Sequence, residues 1–71
     1  MLWEILLLKQ IQQQIQELEN KIILKQKEIG FEKDSNRKIK LQDELKILQL
    51  KKEIAIVRKR IKQFEGNTHQ Y

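Results

Sequence analysis

The residues of this chain that could do chemistry are few: one histidine, His69, one adjacent pair of acids, Asp43 and Glu44, and a run of cations late in the sequence. An imidazole needs a second group held against it to work as a general base or a metal ligand. His69 stands in the segment Thr68-His-Gln-Tyr71, which contains no acid. Asp43 and Glu44 are consecutive, so on a helix their side chains diverge by about 100° and cannot converge on one proton. There is no cysteine, and a zinc site would have to draw on carboxylates. Gly30 and Gly66 stand singly, not in a loop that could cradle a phosphate. Trp3, Phe31, Phe64 and Tyr71 are too scattered to form a base-stacking platform. No catalytic residue, metal ligand, cofactor or small-molecule substrate is expected.

The cations offer binding instead of catalysis. Lys51, Lys52, Arg58, Lys59, Arg60 and Lys62 crowd one stretch, against the acid Glu53. On a helix Lys51, Arg58 and Lys62 share a narrow arc, with Lys52 and Lys59 beside it and the small Ala55 among them. Such a face would let a phosphate backbone approach closely, and the net charge of +5 suits an anionic partner. A plainer account is available: cations are favoured near a helix C-terminus, and their stems cover apolar surface.

Helices must position these groups. Of the 71 residues 35% are charged, there is no proline, and Lys, Gln, Leu, Glu and Ile dominate, a coiled-coil profile. Leu8, Ile11, Ile15, Leu18, Ile22 and Ile29 recur at steps of three and four, missing at Lys25. Ile47, Leu50, Ile54, Val57, Ile61 and Phe64 do the same without a gap. Faced antiparallel, the stripes pair Leu8 with Ile61, Ile11 with Val57, Ile15 with Ile54, Leu18 with Leu50 and Ile22 with Ile47, closing about Asp34. A single continuous helix would have to absorb a change of heptad phase there. The spacing predicts one domain, residues 1–66: a helix over about 2–31, a turn at about 32–36 and a helix over about 36–65. Asp34, Ser35 and Asn36 can cap the second helix. Gly66 and Asn67 are expected to end it, leaving 67–71 as a disordered tail.

The second helix has a further apolar strip, Leu41, Leu45, Leu48, Ala55 and Ile56, on the side away from that stripe. A lone hairpin covers one face only, so these five residues are expected to meet a second copy or another protein. The opening Met1-Leu-Trp-Glu-Ile-Leu-Leu-Leu8 is far shorter than the ~20 residues of a membrane span and lacks a basic start. It predicts an apolar bundle end, with no targeting segment and a membrane disfavoured as partner; the alternative is a docking or membrane-surface patch led by Trp3. With no cysteine to oxidise, the cytosol or an organelle matrix is the expected compartment.

Leu50-Lys-Lys-Glu-Ile-Ala-Ile-Val57, with Ile47 before and Ile61 after, resembles the second-helix motif of the ribosomal large-subunit protein twenty-nine family. That family is a short basic helical hairpin bound to ribosomal RNA. The resemblance implies RNA contact for Lys51, Lys52, Arg58 and Lys59 and close packing at Ala55. It covers about fifteen residues. Ile56 stands where the family usually has a basic residue, and Phe31-Glu32 where its first helix ends in a Leu-Arg-type motif. Gly30-Phe31 with Gln42-Asp-Glu-Leu-Lys46 is similar to the turn and signature of small hairpin phosphatases of sporulation phosphorelays. Lys46 replaces their catalytic aspartate, so no activity carries over.

The chain thus reads as all-α, an antiparallel two-helix coiled-coil hairpin that could dimerise into a four-helix bundle. Its expected role is non-enzymatic, as a structural or protein–protein interaction module. The alternative is a basic RNA-binding hairpin of a ribosome-like assembly, using Lys51, Lys52, Arg58, Lys59 and Lys62.

Overall fold

The computed structural model describes residues 2–68. Two helices, α1 (Leu2–Phe31) and α2 (Ser35–Thr68), form an antiparallel hairpin. The Cα atoms fill a rod of 57 × 15 × 12 Å.

The turn is built from local hydrogen bonds. The Glu32 N–H donates to the Ile29 carbonyl at 3.3 Å, the tightened last turn common at helix ends. Asp34 then caps α2 twice. Its Oδ1 accepts from the Asn36 N–H at 3.0 Å, and its carbonyl accepts from the Lys38 N–H at 2.9 Å. This satisfies one of the first-turn donors that a helix start leaves without partners. The Asp34 N–H donates in turn to the Glu32 carboxylate at 3.2 Å. Asp34 therefore stops one helix from continuing and starts the next.

The far end differs from expectation. Helix α2 runs through Gly66 and Asn67 to Thr68. A glycine stop needs the left-handed conformation, and among the described residues no glycine has a positive φ. The remainder of the expected tail, residues 69–71 with His69 and Tyr71, lies outside the described residues.

Burial traces one stripe along each helix. On α1 it follows Leu8, Ile11, Ile15, Leu18, Ile22 and Ile29, as the spacing predicts, together with Glu19 and Lys25, and it runs on to Glu32 in the turn. On α2 it follows Leu41, Leu45, Leu48, Ala55 and Ile56, with Glu44, Lys52 and Lys59. Ile11, Ile15 and Ala55, each 6% exposed, form the buried centre, and Leu18 and Ile56 pack against it.

This reverses the expected orientation of α2. The anticipated pairs Leu8–Ile61, Ile11–Val57, Ile15–Ile54, Leu18–Leu50 and Ile22–Ile47 do not form the seam, because their α2 members all face outward. The register about the turn is nearly the expected one; the helix is rotated by roughly half a turn. In the observed orientation Glu44, Lys52 and Lys59 each meet a polar partner on α1, and half a turn of rotation would carry Lys52 and Lys59 away from theirs. The short Ala55 also lets the helices come together where Ile11 and Ile15 are largest.

Candidate interaction surface

Three cross-seam contacts fix the register. The Lys25 ammonium donates to the Glu44 carboxylate at 2.9 Å, with Glu28 a further 3.7 Å neighbour. The Lys52 ammonium lies 3.4 Å from a Glu19 oxygen, and the Lys59 ammonium donates to Gln12 Oε1 at 2.6 Å. The hydrogen bond to Glu44 raises the Lys25 pKa above its ordinary value, aided by both carboxylates and opposed by partial desolvation. The same bond lowers the Glu44 pKa. These are structural contacts, and they use cations that the sequence offers to RNA.

The basic arc is accordingly split. Lys52 and Lys59 turn into the seam, and Lys62 lies 3.4 Å from Glu65 on its own helix. Lys51 and Arg58 stay exposed and share a shallow groove of about 310 Å³ with Lys21, Glu17 and Gln14 of α1. Ala55 lines the floor of this groove together with Leu18 and Ile54. It is buried against Ile11 and Ile15.

The five residues expected to meet a partner are placed elsewhere too. Leu41, Leu45, Leu48, Ala55 and Ile56 are the α2 half of the hairpin's own seam. Ala55 is buried there, and the other four are partly buried against α1. The residues left outside are the uninterrupted stripe. Ile47 is 52% exposed, Leu50 49%, Ile54 60%, Val57 51%, Ile61 49% and Phe64 69%. Two residues along a helix amount to about 200° of rotation, so Ile54 points away from the side that Lys52 and Ile56 occupy. Helix α2 is therefore sandwiched, with α1 on one side and an open heptad stripe on the other.

No protein-family model, curated protein or solved structure matches the chain. The surface has to be read from its own chemistry.

A groove of about 650 Å³ beside the turn is lined by Leu24, Phe31 and Leu41 and by charges of both signs, among them Arg37, Lys40, Glu28 and Glu44. It is open to solvent and brings no nucleophile and base together. Among the described residues no group of three or more His, Cys, Asp and Glu is placed to hold a metal ion. No helix among them is long and apolar enough to cross a membrane. Further large apolar side chains are exposed at the start of α1, where Leu2, Trp3, Ile5 and Leu6 are all more than half exposed, and towards the turn, where Phe31 is 84%, Leu24 59%, Ile39 57% and Ile23 50% exposed.

Proposed function

We propose that this chain is a protein–protein interaction module that docks a partner helix on the outer stripe of α2. One observation carries the reading: six large apolar residues at heptad spacing, Ile47 to Phe64, are 49–69% exposed along one side of an otherwise paired helix. Contiguous exposed apolar surface of that kind marks an interaction site, and the heptad spacing favours a helix as its occupant. The RNA reading and its ribosomal family resemblance have less support, since two of the basic residues they call on, Lys52 and Lys59, are engaged in the seam.

The double substitution Ile54→Asp with Ile61→Asp tests this. The expected result is retained helical circular dichroism with loss of self- or partner association and of binding to an apolar-surface dye. Association and dye binding that survive both charges would overturn the proposal.

A further inference from the structure

We infer that the occupant of the outer stripe is a second copy of this chain, lying parallel and in register, so that two α2 helices pair along Ile47–Phe64. The inference rests on the reading of that stripe as a docking face and adds the partner's identity and direction.

The stripe divides into two alternating positions. Ile47, Ile54 and Ile61 occupy one; Leu50, Val57 and Phe64 occupy the other. In parallel coiled coils β-branched residues at the first with Leu at the second favour two strands; here the first is uniformly isoleucine, and the second holds one leucine, Leu50. The stripe runs for about 27 Å at 1.5 Å per residue. Interfaces of ordinary size take about 800 Å² from each partner. Six large side chains flanked by the stems of Lys46, Lys51, Arg58 and Arg60 supply a strip of that order.

Charge complementarity selects the direction. The residues flanking the stripe are Lys46, Glu53 and Arg60 on one side and Lys51, Arg58 and Glu65 on the other. In a parallel pair, each residue of the first set meets the next residue of the second set on the other copy. That sets Glu53 against Arg58 and Arg60 against Glu65, each twice by symmetry, with Lys46 against Lys51 the one unfavourable match. Glu65 already neighbours Lys62 at 3.4 Å, and a carboxylate accepts from more than one cation. Reversing one copy sets Lys51 against Arg58, with Glu53 against Arg60 the one favourable match. The parallel arrangement has the opposite-charge contacts in the majority.

The test uses sedimentation equilibrium on the full chain and on variants, together with disulfide trapping; the chain has no native cysteine to interfere. The wild-type chain should be dimeric, and Leu50→Cys should cross-link to its own copy under mild oxidation. In a reversed pair Leu50 would face Ile61 of the second copy, about 16 Å along the rod and beyond disulfide reach. Glu53→Arg should weaken the dimer about tenfold, and adding Arg58→Glu should restore it. Rescue by Arg60→Glu instead, with no Leu50→Cys cross-link, would overturn the parallel arrangement. A chain that stays monomeric while its dye binding is lost on Ile54→Asp would overturn the second copy as occupant and leave the docking face standing. A dimer indifferent to Ile54→Asp would overturn the docking face itself, and this inference with it.

Discussion

The Lys25 ammonium of α1 and the Glu44 carboxylate of α2 meet at 2.9 Å inside the seam, at a position where a heptad would ordinarily place two apolar side chains. The contact ties the helices close to the turn and fixes which residue of α2 lies opposite which residue of α1. Its pH behaviour follows from the two shifts. Glu44 has its pKa lowered in the hairpin, so its contribution is present above the ordinary carboxylate value and is lost as pH falls through the depressed one. Lys25 has its pKa raised, so its contribution is present below the ordinary ammonium value and is lost as pH rises through the elevated one. Hairpin stability should therefore be flat around neutrality, falling in acid and again in strong alkali. Thermal melts of wild type and Glu44→Gln across pH check this. The acid-side difference between them should vanish once Glu44 is protonated.

Neighbouring residues on α2 should respond in opposite ways to one charge. Ala55→Asp buries a carboxylate among Ile11 and Ile15, a cost of about 3 kcal/mol or more, and should melt the hairpin. Ile54→Asp places the same group on the open stripe and should leave helicity intact while association is lost. Circular dichroism and sedimentation on the two variants make the comparison. Loss of fold in Ile54→Asp with fold retained in Ala55→Asp would mean that α2 is turned the other way.

Gly30 lies inside α1 without a positive φ, and a methyl group there would meet nothing within 4 Å. Gly30→Ala should therefore stabilise the chain by about 1 kcal/mol through helix propensity alone. For a domain of this size that is a rise of about 4–8 °C in melting temperature, read by a thermal melt.

Asp34→Ala removes the side-chain oxygen that accepts the Asn36 N–H. The expected loss is about 1 kcal/mol, with Asp34→Asn close to neutral because its amide oxygen can accept the same bond. Urea titration of the two variants separates the cap from the charge. Equal losses in both would assign the effect to electrostatics at the helix start.

The hairpin, the α1 face and the turn at Asp34 are legible in the sequence because each rests on a local signal: spacing, a gap in it, and a capping residue. The orientation of α2 is not, because both of its faces are apolar and hydrophobicity alone favours the longer stripe. Ile47 to Phe64 is the richer of the two and is the one left outside. The informative positions were polar. Lys25 reads as a gap in the α1 stripe, yet with Glu19 and Gln12 it sets a pattern that Glu44, Lys52 and Lys59 answer from the other helix. Pattern analysis that counts only apolar residues discards those positions, and the partner surface and the basic arc both shift as a result. The end of α2 was misread for a different reason: a glycine permits a helix stop without enforcing one.

Both ends of the rod mix ionic and apolar groups. At the turn, Lys33, Asp34, Arg37 and Lys38 stand beside Phe31 and Ile39, 84% and 57% exposed, while the opposite end sets Leu2, Trp3, Ile5 and Leu6 beside Arg60, Lys62 and Glu65. The backbone between them spans 57 Å, held straight by two helices instead of a flexible tether. Any group bound at one end would be held up to 57 Å from one bound at the other.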